Sequence, residues 1–385
     1  MRDDARPAAN AYDCPMPTPN GASSIPPQPR KPTIGITMGD PLGIGPEVII
    51  KALADPDTRR QGRFVIYGLN ELLTYAADQL ERHPFWYRVQ HDSARTKRPI
   101  SEDVVVLDYD EYDGFMQMPR RAHKNAGAVS KLFVEDAIED ALRHDDHTRK
   151  LDAIVTGPIS KDAWRLAGFK WPGHTELFIH RTKAKRGVMM FVSPRLRVAL
   201  ATCHLPLMDI RNVLTIGRIF DPIDLGHEAC RQLGIERPRI AVTGLNPHAG
   251  ENGLLGDEES RLIEPAIDVA RDAGIDVQGP FAADTIFIRA ASGDFDLVVA
   301  MYHDQGLIPV KLLGWDKAVN WTLGLPIIRT SPDHGTAFDI AGQNKASEGS
   351  MKAALELAAK LASQRIAAAA PTEQPTPPLT PAPDS

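Results

Sequence analysis

The sequence predicts an α/β protein built as two α/β/α lobes with mainly parallel sheets. One reason is size, because 385 residues exceed one ordinary hydrophobic core and suit two lobes of common domain size. The other reason is pattern, because short apolar runs alternate along the chain with amphipathic helical segments. Parallel strands joined by crossover helices produce this alternation.

The apolar runs have the length and composition of buried strands. They are rich in Val, Ile and Leu, as strands covered on both faces of a parallel sheet are. The runs span residues 33–38, 64–67, 104–107, 153–155, 188–192, 196–202, 240–242 and 297–301.

Amphipathic helices are predicted between these strands. In GAVSKLFVEDAIEDALRHD, the side chains of Val134, Ile138 and Leu142 share one face at positions i, i+4 and i+8. A second helix is predicted to begin after Ser160, whose side chain can cap it, and to stop at Gly168.

Composition argues against nucleic acid and membrane as partners. The formal net charge is -6, so no basic face is expected for a polyanion. No stretch approaches the roughly 20 apolar residues that span a bilayer. Three cysteines at unrelated spacings, Cys14, Cys203 and Cys230, suit neither a disulfide framework nor a cysteine zinc site. We therefore expect a cytoplasmic protein in a reducing compartment.

Both ends of the chain have the composition of disordered segments. Residues 1–31 are rich in Pro, Ser and Asn and lack the apolar core of a secretory signal. Residues 371–385, PTEQPTPPLTPAPDS, are of the same kind. Either segment could bind a partner as a polyproline II helix, but a solvated extension without function is favoured.

Polar or glycine-rich motifs follow several of the predicted strands directly. Ligands bind beyond the carboxyl ends of the strands in open α/β sheets, so we expect these motifs to line one functional edge. In chain order they are GDPLGIGPE, TGPISK, CHLPL, TGLNPHAGENG and YHDQG.

Histidines recur in these motifs. His204, His248 and His303 each follow a strand by a few residues. Three neutral imidazoles can bind a divalent metal and leave a coordination position open. A single histidine of this kind is more often only hydrogen-bonded at a strand end, but three in matching contexts favour a metal site. In WPGHTELF, His174 is a fourth candidate for contact with a ligand, and Glu176 is a candidate helix cap. These two interpretations of the segment have equal weight.

An anion site is predicted after the His303 strand. The segment VKLLGWDKAVNWTLGLPIIRTS contains Lys311, Asn320 and Arg329. Two cations with an amide donor can bind phosphate or carboxylate. Both cations lie in apolar sequence, which argues against ordinary surface positions.

Taken together, the motifs resemble the 4-hydroxythreonine-4-phosphate dehydrogenase family of pyridoxal phosphate (vitamin B6) biosynthesis. The resemblance covers residues from about 32 to 370 and leaves only the two ends outside it. That family is similar in fold to isocitrate and isopropylmalate dehydrogenases, with the active-site cleft between two lobes. The shared motifs, in order, are MGDPLGIGPE, TGPISK, GHTE, ATCHLPL, GLNPHAGENG, GPFAADT, MYHDQG, VNWTLGLP and IRTSPDHGTAFDIAG.

The resemblance implies domains and a site. Residues 32–155 and 305–370 would form the first α/β domain and residues 156–304 the second. One divalent metal ion per subunit, Zn, Co or Mg, would be bound by His204, His248 and His303. The substrate would be contacted by His174, Thr175, Lys311, Asn320 and Arg329. NAD or NADP would be bound by Asp333, His334, Gly335, Thr336, Asp339 and Gly342. The family is homodimeric, with the active site near the subunit boundary.

The implied reaction is NAD-dependent oxidation of 4-hydroxythreonine 4-phosphate, followed by decarboxylation to 3-amino-2-oxopropyl phosphate. The metal would lower the pKa of the reacting hydroxyl group. Lys161 and Asp304 are the candidates for proton transfer, although Asp304 could instead orient a metal-binding histidine.

Three other functions fit parts of the same pattern. One is a D-threonate or D-erythronate 4-phosphate dehydrogenase of sugar acid catabolism. Another is a zinc-dependent phosphoester hydrolase, which would need no NAD. The third is a metabolite-binding module without chemistry, against which the retained polar residues argue. Trp321 after Asn320 and Pro332 before Asp333 depart from the family pattern and bear on substrate preference.

Overall fold

A computed structural model describes residues 30–369. The predicted extensions, residues 1–31 and 371–385, lie outside the described residues except for Arg30 and Lys31. The last residue of the predicted first domain, Ala370, lies outside them too.

Twelve strands are found in the described part of the chain. Eight of them match the predicted apolar runs to within two residues at either end, and β3, β9, β11 and β12 were not predicted. The strands are β1 Thr33–Thr37, β2 Arg63–Gly68, β3 Tyr87–Gln90, β4 Val104–Asp108, β5 Ala153–Thr156, β6 Val188–Val192, β7 Arg197–Leu200, β8 Ile240–Thr243, β9 Val277–Phe281, β10 Leu297–Ala300, β11 Val319–Leu323 and β12 Ile328–Pro332.

Helices connect these strands as crossovers. Within residues 30–369 the α-helices are α1 Gly45–Ala54, α2 Pro56–Arg60, α3 Asn70–Gln79, α4 Lys124–Leu142, α5 Lys161–Leu166, α6 His174–Thr182, α7 Ile210–Val213, α8 Ile216–Gln232, α9 Glu264–Asp272, α10 Ala283–Ala291, α11 His303–Gly314 and α12 Gly349–Ala369.

All twelve strands belong to one sheet, in the order β3-β4-β2-β1-β5-β12-β11-β6-β7-β10-β8-β9. Eight neighbouring pairs are parallel. The three antiparallel pairs, β12-β11, β11-β6 and β6-β7, join the two parallel halves of the sheet. The predicted α/β class with a mainly parallel sheet is therefore confirmed. The domain boundaries and the likeness to isocitrate dehydrogenase stay predictions.

The core lies on both faces of the sheet. Strands β4, β5, β8 and β10 are buried along their whole length, as expected for strands that helices cover on both sides. A second, smaller apolar cluster lies between β6, β7 and β10 and the helices α10 and α11, and it includes Phe191, Val298 and Leu307. These buried strands form a rigid base for the polar residues at their carboxyl ends.

The two predicted helices are found. Ser160 caps α5, since its Oγ accepts a hydrogen bond from the Ala163 amide at 3.1 Å, and Gly168 follows the helix in a left-handed conformation with φ of 82°. On α4, Val134 and Ile138 are buried as predicted. Leu142 is 47% exposed, so the predicted apolar face is wrong at this residue, where the helix ends.

A helix able to cross a bilayer, which would need a long and almost uncharged apolar stretch, is not found between residues 30 and 369. Cys203 and Cys230 are free thiols, and burial raises their pKa to about 11 and about 12. Both therefore remain protonated at neutral pH, and neither resembles a reactive thiol. Cys14 lies outside the described residues.

Candidate active site

The carboxyl ends of β5, β7, β10 and β12 surround one cavity of about 340 Å³. Eleven of the sixteen predicted site residues line it, which brings together segments that are far apart in the chain. They are Lys161, His174, Thr175, His204, His303, Lys311, Asn320, Arg329, Asp333, His334 and Gly335.

Arg329 is a buried cation in the lining of this cavity. Its guanidinium donates hydrogen bonds to Thr322 Oγ1 at 2.9 Å and Thr156 Oγ1 at 2.6 Å, while its buried Nε has no partner. Burial lowers the pKa of Arg329 to about 10, while the negative charge of Glu176 acts to raise it. Arg329 therefore remains protonated at neutral pH. No carboxylate between residues 30 and 369 forms an ion pair with it. A buried cation without an ion-pair partner fits a bound anion.

Two more polar groups in the lining lack partners. His174 is the first residue of α6, and its Nε2 is shielded from solvent without a hydrogen bond. Burial, followed by the charges of Arg329 and Lys161, lowers the pKa of His174 well below its usual value, so the ring is neutral at pH 7. The buried Oδ1 of Asn320 on β11 is also without a partner. Because buried polar atoms are normally hydrogen-bonded, both groups are suited to contact a ligand.

A charged pair lies at the end of β12. Lys311 Nζ is 3.7 Å from Asp333 Oδ2. Burial raises the pKa of Asp333, although the charges of Lys311 and His303 act in the opposite direction. The neighbouring His334 Nδ1 lies 3.1 Å from the carbonyl oxygen of Gly335, and burial lowers the pKa of His334. Its shielded Nε2, which has no partner, is therefore available as an acceptor.

His204 and His303 are adjacent at the edge of the cavity. Their ring centroids are 5.6 Å apart. His303 is the first residue of α11, and its Nδ1 lies 2.7 Å from Asp304 Oδ1, which holds the proton on Nδ1 and leaves Nε2 with the lone pair. Partial burial, followed by the charges of Lys161 and His303, lowers the pKa of His204. Two adjacent imidazoles fit two ligands of a divalent metal.

His248 and Asp304 do not line the cavity. His248 lies on an exposed loop after β8, and the Asp304 side chain is exposed beside His303. Within the part of one chain that the structure describes, no group of three His, Cys, Asp or Glu side chains is arranged to hold a metal ion. One chain thus brings together two of the three predicted metal ligands, and the full set stays a prediction.

The predicted cofactor residues extend away from the cavity toward a second recess. The Thr336 carbonyl accepts a hydrogen bond from the Ile44 amide at 2.9 Å, which joins the GIGPE and DHGTA motifs. Gly342 lies in a narrow recess between α1 and α3, next to Arg120 and Tyr75. Asp339 is exposed. The run from Asp333 to Gly342 therefore begins in the lining of the cavity and ends in the lining of a second recess.

Some residues of the site were not predicted. Thr156 and Thr322 hold the Arg329 guanidinium, and Glu176 and Ser331 line the cavity. The strand β5 ends in Thr156, within the predicted motif TGPISK, so its position was a usable signal. Thr322 gave none, because β11 was not predicted as a strand.

Comparisons with known proteins find relatives over most of the chain. The family model described as "Pyridoxal phosphate biosynthetic protein PdxA" matches residues 60–358. D-threonate 4-phosphate dehydrogenase of Cupriavidus necator is 45% identical over 335 residues, which are 87% of this chain and 98% of that protein. 4-Hydroxythreonine-4-phosphate dehydrogenase of Geobacter metallireducens is 44% identical over 340 residues, covering 86% of this chain and 96% of the relative.

Among solved structures, a crystal structure of 4-hydroxythreonine-4-phosphate dehydrogenase from Klebsiella pneumoniae is 40% identical. The match covers 86% of this chain and 98% of the Klebsiella pneumoniae chain, with a TM-score of 0.74. The predicted enzyme class is confirmed, since the chain is an oxidoreductase of the dehydrogenase type. With a family model matching residues 60–358 and relatives matched over almost their whole length, the chain belongs to the pyridoxal phosphate biosynthetic protein PdxA family.

Proposed function

We propose that the chain oxidises 4-hydroxythreonine 4-phosphate with NAD and then decarboxylates the product to 3-amino-2-oxopropyl phosphate, a step of vitamin B6 biosynthesis. The observation that carries the proposal is Arg329, a buried cation with an unpaired Nε in a cavity that also contains unpaired atoms of His174 and Asn320. A phosphorylated amino acid supplies the anionic and hydrogen-bonding groups that these atoms need.

The substrate has two anionic ends, and three cations line the cavity: Arg329, Lys311 and Lys161, the last of which is the candidate for proton transfer. Arg329, with His174 and Asn320 beside it, would bind one end in a desolvated position. Lys311, which is partly exposed and only loosely paired with Asp333, would bind the other. Holding both ends fixes the secondary hydroxyl group between them, and such orientation supplies a large share of an enzyme's rate enhancement.

A divalent metal, Zn, Co or Mg, would be held by His204 and His303 together with His248. When bound, it would supply a Lewis acid that stabilises negative charge on the reacting oxygen of the substrate, both as the hydroxyl proton is lost and as CO2 departs. Asp304 fixes the His303 tautomer, so the Nε2 lone pair is available as a ligand. Because Asp304 is exposed and lies outside the cavity lining, Lys161 is the better candidate for proton transfer.

The nicotinamide end of NAD, or of NADP, would lie in the cavity beside Asp333, His334 and Gly335, because hydride transfer requires contact with the substrate. The remainder would follow Thr336 and Asp339 toward the recess at Gly342.

A homodimer would complete the site. Large exposed apolar side chains follow each predicted metal-binding histidine along the chain: Met208 (84%) after His204, Leu254 (82%) after His248, and, after His303, Leu312 (81%) on α11 and Trp315 (73%) at its C-terminal end. Exposed apolar clusters of this kind mark protein interfaces. We place these surfaces together in a two-fold dimer, where His248 of a second copy approaches His204 and His303. Such a dimer would act in the cytoplasm.

One alternative has specific support. The Cupriavidus necator relative, 45% identical, is a D-threonate 4-phosphate dehydrogenase. Its named substrate differs from 4-hydroxythreonine 4-phosphate by a hydroxyl group in place of the amino group, and both would satisfy Arg329. The dehydrogenase relatives favour either reading over a phosphoester hydrolase or a binding module.

NADH formation by the purified chain tests the proposal. The chain is assayed side by side on 4-hydroxythreonine 4-phosphate, D-threonate 4-phosphate and D-erythronate 4-phosphate, with Zn, Co or Mg supplied and with a chelator. We expect the highest kcat/KM on the first substrate and loss of activity with the chelator. A higher kcat/KM on a sugar acid phosphate would assign the alternative, and no NADH from any of the three would contradict the proposal.

A further inference from the structure

We infer that Glu259 is a positioning residue that fixes the loop presenting His248. The inference deepens the proposed function, because it rests on the role given there to His248. Glu259 belongs to none of the residues that line the cavity, and it acts through the backbone of residues 244–252.

The loop has an unusual backbone. From His248 to Asn252, five consecutive residues have positive φ angles of 54°, 53°, 82°, 45° and 53°. Four of the five carry side chains, and left-handed conformations are unfavourable for such residues. A run of this kind persists only when surrounding contacts determine it.

Glu259 supplies contacts at the start of the loop. Its carboxylate is buried, and Oε1 accepts hydrogen bonds from the amides of Leu245 and Asn246, each at 2.8 Å. Oε2 accepts a third from Asn246 Nδ2 at 2.9 Å. Three hydrogen bonds to one buried side chain hold the chain firmly where it leaves β8.

The same carboxylate touches the middle of the left-handed run. A Cβ at Gly250 would lie 2.7 Å from Glu259 Oε2, and one at Gly244 would lie 3.0 Å from Oε1. The loop therefore closes around the carboxylate, and a side chain at position 250 would have to displace it. Glu259 itself begins the π-helical turn Glu259–Ile263, which continues into α9, and α9 packs on α8. The loop is thus anchored to a rigid element.

The segment held in this way adds little to the core. Gly250 is the only buried residue between Pro247 and Gly253, and His248 is exposed. A strained, well-anchored conformation that buries no apolar side chain is the arrangement expected when a loop presents a functional group.

Glu258 provides a matched control. It is also buried, and it accepts a hydrogen bond from Asn246 Nδ2 at 2.8 Å and pairs with Arg211 at 3.2 Å. The Leu245 and Asn246 amides, however, bond to Glu259 and not to Glu258.

The test compares Glu259→Gln, Glu258→Gln and His248→Ala in the full chain. A carboxamide keeps the shape of Glu259 but has one acceptor oxygen, so its NH2 group must face either the two backbone amides or Asn246 Nδ2. Hydrogen exchange of residues 245–253 and the affinity of the metal-free protein for Zn²⁺ by calorimetry are measured. We expect Glu259→Gln to speed exchange in this loop and to weaken Zn²⁺ binding by about 10- to 100-fold, with Glu258→Gln close to wild type.

Unchanged loop exchange or unchanged Zn²⁺ affinity in Glu259→Gln would overturn the inference, as would faster exchange spread over the whole molecule. Should Glu259→Gln not fold, Gly250→Ala takes its place, because the added methyl group displaces the carboxylate without removing it, and the same results are expected. Wild-type affinity in His248→Ala would instead refute the metal role proposed for His248, while loop exchange would still decide the anchoring.

Discussion

Arg329 is the residue whose environment says most about the site. A cation buried without an ion-pair partner destabilises the folded chain, and its two threonine partners are neutral. Its position is therefore expected to serve binding more than folding.

Replacing Arg329 by Met should separate these two effects. We expect kcat/KM to fall by about 30- to 1000-fold, corresponding to about 2 to 4 kcal/mol, because the anion loses its buried partner. The free energy of unfolding without ligand should be unchanged or higher, because a desolvated charge is removed. Steady-state kinetics and urea unfolding measure the two quantities. Arg165→Met, at an exposed position of α5, is the control and should change neither. Loss of stability with normal kcat/KM would contradict this role.

The neutral His174 ring should make stability depend on pH. Its folded pKa is lowered, so below the unfolded value of about 6.5 the unfolded chain binds a proton that the folded chain does not. The resulting stability is complete above about pH 6.5 and is lost as pH falls, by at most about 1.4 kcal/mol per unit. Urea unfolding of the wild type and His174→Asn between about pH 5.5 and 7.5 measures it. We expect a shallower pH dependence in the variant, and equal slopes would show that His174 does not titrate in this way.

At the scale of single residues, the sequence identified most of the side chains that meet in the cavity, but not the hydrogen-bond partners that hold them. The apolar context of Arg329 correctly indicated burial, because an unpaired arginine is rarely placed in such sequence without a ligand to bind. The threonines that hold it could not be predicted, since they come from β5 and β11 and depend on the pairing of distant strands.

Strands and helices could be predicted where a single hydrophobic pattern runs through the whole segment of sequence. Continuous apolar runs predicted eight of the twelve described strands, because strands covered on both faces need no polar positions. The strands β11 and β12, VNWTL and IRTSP, mix polar with apolar residues although all ten residues are buried. Most of their polar side chains line the cavity or bond to Arg329, and Thr330 bonds to the Ala354 carbonyl of α12, so a rule based on hydrophobicity fails there. The antiparallel connection between the halves was missed for this reason.

Packing between α4 and α5 controls the position of Lys161, which begins α5. A Cβ at Gly127 of α4 would lie 2.1 Å from the Ala163 carbonyl oxygen, so Gly127→Ala should push the helices apart and lower the free energy of unfolding by about 1 to 3 kcal/mol. Gly217→Ala in α8 is the matched control, because nothing lies within 4 Å of its added methyl group. We expect it to be neutral or stabilising by up to about 1 kcal/mol. Similar urea midpoints for the two variants would contradict the close contact.

A single chain does not show how His248, the third predicted metal ligand, reaches the site. The continuous sheet brings His204 and His303 together at one edge of the cavity, yet His248 stays outside it on the anchored loop. The sequence could predict that the three histidines share a context, because each follows a strand. It could not predict which copy of the chain each one serves, since symmetry between subunits leaves no pattern in one sequence.

Introducing a charge into the exposed apolar face of α11 tests the proposed dimer. Leu312→Glu should weaken association, because it buries a carboxylate in an apolar interface. Sedimentation velocity should show the wild type as a dimer and the variant shifted toward monomer. Leu142→Glu, at an exposed position at the end of α4, should remain dimeric. A dimeric Leu312→Glu protein would place the interface elsewhere.

Mixing two inactive variants tests most directly whether the site is built from two copies of the chain. His248→Ala and His303→Ala should each abolish NADH formation alone. If His248 completes the site of the other copy, random pairing of the unfolded and refolded mixture leaves about a quarter of the sites with all three histidines. We predict recovery of about a quarter of the wild-type activity in the refolded mixture. No recovery, with dimers formed normally, would contradict a metal site shared between subunits.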